Sequence, residues 1–197
     1  MRLVLASKNQ HKLVEMQTIL GQLGLEVVLE SQVGVDVDVE ETGTTFMENA
    51  LLKAKAVMEA SGMAAIADDS GLVVDALNGA PGVYSARYGN KHSDPERTAY
   101  LLENMADVPE EQRTARFVSA IACALPDGRL VTAEGYCEGV ILIEPRGENG
   151  FVYDPVFYVP SLGKTFSEAD PAEKNAISHR GSALNAFLKA WKEAGLC

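Results

Sequence analysis

Long hydrophobic runs are missing from this chain. No stretch holds the roughly 20 consecutive apolar residues that cross a bilayer, so a membrane-spanning role is set aside. Met1-Arg2-Leu3-Val4-Leu5-Ala6 is too short an apolar run for a signal peptide, and the polar Ser7-Lys8-Asn9-Gln10-His11-Lys12 follows at once. Cysteine is scarce. Cys123, Cys137 and Cys197 are odd in number and lack the spacing of a metal or redox site, which fits a reducing cytoplasm and leaves them as packing residues. Positive charge is short too: 17 Lys and Arg face 28 Asp and Glu, a formal charge of −11. That balance disfavours duplex nucleic acid and anionic membranes, both of which attract basic surfaces. A small anionic substrate stays compatible if a cation mediates. Linkers, low-complexity segments and like-charge runs are also absent, and 47% hydrophobic with 23% charged residues reads as globular throughout. The length of 197 residues suits one large domain or two intimately packed lobes.

What is present centres on Asp68-Asp69-Ser70-Gly71. The run Ala64-Ala65-Ile66-Ala67 follows a Ser61-Gly62 break and is long enough for a buried strand but too short for a helix, so the acids are expected where that strand ends. Successive strand side chains point to opposite faces, and only one of the two acids then suits a catalytic role unless the strand has begun to turn. Ser70-Gly71 would supply the turn, a hydroxyl and an unencumbered backbone at a carboxyl end of the sheet, where open α/β folds bind ligands. Asn78 to Gly82 reads as a tight loop, and Tyr84-Ser85-Ala86-Arg87-Tyr88 returns an aromatic-flanked arginine. An ordinary acidic loop between two core strands fits the same residues.

Leu3 to Ala6 predicts a strand, and Leu13, Met16, Leu20 and Leu23 recur at helical spacing. The loop Ser7 to Lys12 then sits at a helix amino end, which serves either as an anion site with Lys12 adding charge or as a solvated cap; no Gly-rich phosphate loop marks it. Val27 to Leu29 predicts a second strand, and Val33, Val35, Val37 and Val39 alternate in an extended segment that ends at Glu40-Glu41-Thr42-Gly43. Thr45 with Glu48 forms a capping-box pattern before a helical stripe from Met47 to Met58, on which Asn49 and Lys53 are i,i+4 neighbours that could line a cleft or face water. Asp94-Pro95 is expected to cap a helix carrying Ala99, Leu102 and Met105. Phe117 to Leu125, a Pro126-to-Arg129 turn and Leu130 to Tyr136 predict a β-hairpin, with Val140 to Ile143 a further strand. A polar loop from Glu144 to Gly150 delivers Phe151-Val152-Tyr153-Asp154-Pro155, whose aromatics suit either a stacked heterocycle or a half-buried strand end. Asp170-Pro171-Ala172-Glu173 starts a short helix with Lys174. His179 and Arg180 lie at the start of a last helix marked by Leu184, Phe187, Leu188 and Trp191.

Taken together, these motifs resemble the inosine/xanthosine triphosphate pyrophosphatase family of the bacterial type, nearly end to end. The resemblance rests on Ser7 to Lys12, Glu40 to Gly43 with Phe46 and Glu48-Asn49-Ala50, Ala67 to Leu72, Gly79 to Gly82 with Tyr84 to Tyr88, Gly150 to Pro155, and Lys174 with Ser178-His179-Arg180. It implies a mixed central β-sheet flanked by helices, in two lobes around a substrate cleft, and a homodimer that converts ITP, dITP or XTP to the monophosphate and pyrophosphate with Mg²⁺. It places the triphosphate on Ser7, Lys8, Asn9, Gln10, His11 and Lys12, the metal on Glu40 and Asp69, and proton acceptance from water on Asp69. Ser70, Phe151, Val152, Tyr153, Asp154, Lys174, His179 and Arg180 complete its substrate site, with Lys53 as an addition. Family members usually carry glycine where this chain has Val152, which bears on the fit around the base.

The chemistry agrees with that resemblance. A triphosphate carries a charge of about −4 and needs a hard cation held by carboxylates to approach an acidic site. Basic residues such as Lys12, Lys53, Lys174 and Arg180 can then stabilise charge on the pyrophosphate leaving group. A non-catalytic nucleotide-sensing module would share the phosphate loop and aromatics but would need no water-activating carboxylate. A pyrophosphatase acting on modified pyrimidine nucleotides is the other alternative.

Overall fold

The computed structural model describes residues 1–196; of His11 only the backbone is described, and Cys197 lies outside the described residues. The chain opens as strand β1 (Arg2–Leu5), helix α1 (Gln10–Leu20) and strand β2 (Glu26–Leu29), continues through α2 (Phe46–Ser61) into β3 (Ala65–Val74), and then reaches α3 (Asp94–Asn104). Strands β4 (Thr114–Ala124), β5 (Leu130–Ile141), β6 (Phe157–Val159) and β7 (Lys164–Thr165) follow, then helices α4 (Pro171–Ile177) and α5 (His179–Glu193). One sheet runs in the order β2-β1-β3-β4-β5-β6-β7. Strand β1 is parallel to both β2 and β3, whereas β5, β6 and β7 pair antiparallel, so the sheet is mixed and the fold α/β. Parallel neighbours need a crossover, and α1 and α2 supply the two that the first three strands require.

Two compact units divide the chain: residues 1–69, 119–135 and 182–197, and residues 70–118 and 136–181. In the first, alternation along β1 sends Leu3 and Leu5 to a core with Met16, Leu20, Ile66, Ile121, Phe187 and Trp191. Val4 points the other way, against Val57 and Ala65. Helices α1 and α5 therefore cover one face of these strands and α2 the other. The second unit has its own core, built on Leu72, Val74, Leu101, Phe117, Tyr153, Phe157 and Phe166, in which the Phe117 and Phe157 rings meet edge-on at 4.6 Å.

Several local signals act as read. Thr45 caps α2 in a reciprocal capping box with Glu48, and Asp170 does the same for α4 with Glu173. The turn between β4 and β5 closes with the Leu125 N–H on the Arg129 carbonyl at 3.0 Å. Three expectations are corrected. Strand β3 does not end at the acids but continues to Val74, because the sheet supplies neighbours through the weak β-formers Asp68 to Gly71. Val140 and Ile141 are the end of β5, not a separate strand. The cap of α3 is Ser93, whose side chain takes the Glu96 N–H, so Asp94 and Pro95 fall inside the first turn. The alternation from Val33 to Val39 holds, with every second residue half-buried and Val33, Val35 and Val37 beside Val57; the segment forms no strand and begins as a 3-10 turn over Glu30–Val33.

Candidate active site

In the first unit, Asn49 and Lys53 of one helix converge on Asp69, and Glu41 joins them through Lys53. Asp68 and Asp69 are consecutive in β3, and the pleat sends them to different partners, as alternation requires. Asp68 is buried and takes the Lys12 ammonium at 2.8 Å, from the first turn of α1. Asp69 takes the Lys53 ammonium at 3.0 Å and the Asn49 side-chain amide at 3.3 Å, both from α2. The i,i+4 pair Asn49 and Lys53 thus faces a carboxylate and not water. Lys53 also donates to Glu41 at 2.8 Å.

Asn49 ties the acidic corner to this cluster. It is fully buried, and its carbonyl oxygen accepts the Gly43 N–H at 2.8 Å. Any side chain at residue 43 would collide with it, since a Cβ there would lie 2.6 Å from that same oxygen.

The electrostatics follow from one ammonium serving two carboxylates. Burial alone would lower the Lys53 ammonium, but Asp69 and Glu41 outweigh it and hold the group above its ordinary value, so it stays charged. Burial pushes the Asp69 carboxyl up; Lys53 offsets part of that, and the nearby Glu41 charge adds to it. Asp69 is therefore a better proton acceptor than a solvated carboxylate.

Ser7 to Lys12, where the resemblance expects the triphosphate, form the entry to α1. Ser7 Oγ accepts the Asn9 N–H at 3.1 Å and Asn9 Oδ1 accepts the Lys12 N–H at 3.4 Å, so part of the cap is met internally. Lys8 is exposed and pairs with Asp36 at 2.5 Å, which raises its pKa through that hydrogen bond. Gln10 is exposed in the same turn, Ser70 is half-buried in β3, and the side chain of His11 is not among those described.

The second unit gathers the late residues. Asp154 is 2% exposed and accepts the Phe151 N–H at 2.7 Å and the Lys174 ammonium at 2.5 Å. Lys174 lies 5.2 Å from the centroids of both the Phe151 and Phe166 rings, two cation–π contacts on one charge. Phe151 is 60% exposed, whereas Tyr153 is 1% exposed, so only the first ring is available to stack on a heterocycle. Tyr153 instead donates its hydroxyl to the Ser85 carbonyl at 2.8 Å, and burial pushes that phenol's pKa up. Val152 is half-buried against the core, and its φ is not in the left-handed region; that conformation falls to Gly150, at φ 97°. His179 stacks on Phe117 at 5.0 Å, and with Arg180 it opens α5, where Ser178 Oγ takes the Gly181 N–H at 3.0 Å. Sequence reasoning missed Glu41 as the partner of Lys53 and Phe166 as the second ring on Lys174. Neither carried a local signal, since each is defined by a contact across the fold.

The donor set bears on a metal. Among the described residues no group of three or more His, Cys, Asp or Glu could hold one. Asp69 and Glu41 nevertheless reach a single cation, the Lys53 ammonium, and three carboxylates here face two ammoniums; Glu40, next to Glu41 in sequence, is exposed. A site offering one or two carboxylates and leaving the remaining positions to water and phosphate oxygens is what Mg²⁺ takes, so the residues fit.

A mixed-sheet α/β protein with an acid–lysine centre in one unit and an aromatic–lysine–aspartate centre in the other is the class defined by this geometry. The profile of the Ham1 family matches residues 3–190. The chain is 52% identical over 193 residues to the dITP/XTP pyrophosphatase of Thermus thermophilus, covering 98% of this chain and 93% of that protein. It is 48% identical over 192 residues to the dITP/XTP pyrophosphatase of Shigella flexneri, covering 96% and 97%. The Staphylococcus aureus Ham1 structure superposes with a TM-score of 0.90 at 42% identity, covering 99% of this chain and all of that one (100%). The chain belongs to the Ham1 family.

Proposed function

We propose that this protein is a nucleoside-triphosphate pyrophosphatase that hydrolyses ITP, dITP and XTP to the monophosphate and pyrophosphate with Mg²⁺. The observation that carries the reading is the cluster around Asp69: a largely buried carboxylate of raised basicity, held by Asn49 and by an ammonium shared with Glu41. The relatives named above as dITP/XTP pyrophosphatases support the substrate class.

Mg²⁺ would be held by Asp69 and Glu40; when bound it would neutralise phosphate charge and make water easier to deprotonate. Asp69 orients a water toward the α-phosphorus and accepts its proton. Ser7 to Lys12 and Ser70 bind the phosphates, and Lys12 and Lys53 stabilise negative charge on the departing pyrophosphate. Phe151 stacks on the base while Val152, Tyr153 and Asp154 shape the loop beneath it. Lys174, His179 and Arg180 contact the base side. Ammonium and guanidinium groups donate and never accept, so they match the 6-oxo group of hypoxanthine and xanthine and leave the 6-amino group of adenine unmatched. A homodimer and a cytoplasmic setting belong to the same reading, and sedimentation at catalytic concentration tests the first.

The deciding experiment is initial-rate turnover of ITP, XTP, GTP, ATP and dUTP with Mg²⁺ and with EDTA. Pyrophosphate release from ITP and XTP that needs Mg²⁺, with ATP slower by about a thousandfold or more, is expected. Equal kcat/KM for ATP and ITP, or nucleotide binding without turnover, overturns the proposal.

A further inference from the structure

We propose that Thr98 is a positioning residue for base selection: from α3 it fixes the backbone of the loop that presents Phe151, and so sets substrate affinity and base preference without touching substrate. The inference rests on the reading that Phe151 stacks on the base.

Two residues of α3, Thr98 and Leu101, are buried, at 7% and 0% exposed, and they lie on one face of the helix. Leu101 does what that face is for and enters the second unit's core. A hydroxyl at the other position costs desolvation unless it is matched, and it is matched by one acceptor, the Val152 carbonyl. The helix beneath is well made, with a reciprocal box between Ser93 and Glu96 and Pro95 in the first turn, so Thr98 is a fixed point.

The loop it reaches is held at every residue from 151 to 154. The Phe151 N–H goes to Asp154 Oδ2 at 2.7 Å, the Tyr153 hydroxyl to the Ser85 carbonyl at 2.8 Å, and Asp154 itself to Lys174. Ser85 is a fixed point as well, since its Oγ accepts the Leu72 N–H at 2.9 Å and donates to the Gly82 carbonyl at 2.7 Å. Above these buried anchors the Phe151 ring stays 60% exposed. A large apolar ring kept out of the core on a backbone bonded this thoroughly is preorganised for a flat ligand, which would otherwise have to order the loop on binding. Thr98 is the anchor for residue 152, and it lies outside every motif on which the family resemblance rests.

The test compares wild type with Thr98→Val, which keeps the shape and removes the donor, and Thr98→Ser, which restores it. Thr98→Val is expected to raise KM for ITP about three- to tenfold, the span of one neutral hydrogen bond, with kcat within about twofold. The ITP-over-ATP preference should narrow, and amides 151–154 should exchange faster with deuterium in the absence of nucleotide. Thr98→Ser should recover most of each effect. An equal fall in kcat with KM unchanged, wild-type kinetics and exchange in Thr98→Val, or loss confined to melting temperature would overturn the proposal. Faster exchange at 151–154 with turnover and preference unaltered would show that Thr98 orders the loop while the base binds elsewhere, which sinks the stacking reading instead.

Discussion

Lys53→Met removes the ammonium shared by Glu41 and Asp69 while keeping the length and most of the volume of the side chain. The three groups are 15%, 28% and 13% exposed, so this is neither a surface pair nor a sealed one. Removing one partner from a buried pair costs about 3 to 5 kcal/mol, and residual solvent trims that here to about 2 kcal/mol near neutral pH. For a chain of this size the loss corresponds to roughly 4 to 8 °C in melting temperature. Its pH dependence is the sharper test. The Asp69 pKa already lies above its unfolded value, so the folded state binds its proton more tightly, and this group's contribution to stability falls as pH rises through the window between the two. Without Lys53 that window widens upward. The variant's deficit should be full on the alkaline side of that window and shrink as pH falls through it, where a neutral Asp69 no longer needs a counter-charge. Calorimetry with chelator present, so that no cation replaces the ammonium, measures it directly. Because Asp69 must be ionised to accept a proton, the acid limb of the kcat/KM profile should also move to higher pH. A deficit that is flat with pH, or an acid limb that stays or moves down, refutes the electrostatic account of this cluster.

Asp69→Asn should lower kcat by at least about a hundredfold while circular dichroism and melting stay near wild type, and near-normal kcat at saturating Mg²⁺ would remove Asp69 from the chemistry. Lys174→Ala should cut kcat/KM for ITP about tenfold to a hundredfold, since it loses a charged donor and the cover of the Phe151 ring; a collapse in melting temperature with unchanged activity per folded molecule would make it structural. In Gly150→Ala, a Cβ would sit 2.2 Å from the Asp154 carboxylate at a backbone φ of 97°, so the loop must rearrange and kcat/KM should fall by at least about tenfold. Wild-type kinetics in that variant would mean the loop is looser than its hydrogen bonds indicate. Above about pH 10.5 stability should decline, because the unfolded chain's Lys53 gives up its proton there while the folded one, its pKa raised, still holds it, and Lys53→Met should lack that part of the decline.

The helices were legible because their signals are local. Thr45 with Glu48 and Asp170 with Glu173 are each read within four residues, and each forms the expected cap. Ser93 with Glu96 is the same signal; the adjacent Asp94-Pro95 pair masked it. The strand through Asp68 to Gly71 was not legible as a continuous element because sheet neighbours, not propensity, extend it to Val74. Asp69 stood out from chain chemistry and from the family resemblance together. That Glu41 and not Glu40 meets Lys53 depends on the path of a segment without a ladder, where no register rule decides which side chain turns inward. Thr98 was invisible for the opposite reason: on a helix rich in polar residues, a buried hydroxyl is distinguished only by the carbonyl it meets in the fold.

Trp191 is the single tryptophan in the chain; it is completely buried, and its indole N–H is satisfied by the Leu196 carbonyl at 3.0 Å. It belongs to the first unit, while the second holds Tyr84, Tyr88, Tyr100, Tyr136, Tyr153 and Tyr158, which are all six tyrosines. The two halves of the molecule therefore carry separate optical labels without any engineering. Red-edge excitation near 295 nm reports the loosening of one, and tyrosine emission reports the other. Heating the protein while following both channels shows whether the halves melt as a single cooperative body or in succession, and adding nucleotide analogue shows which of them the ligand stabilises.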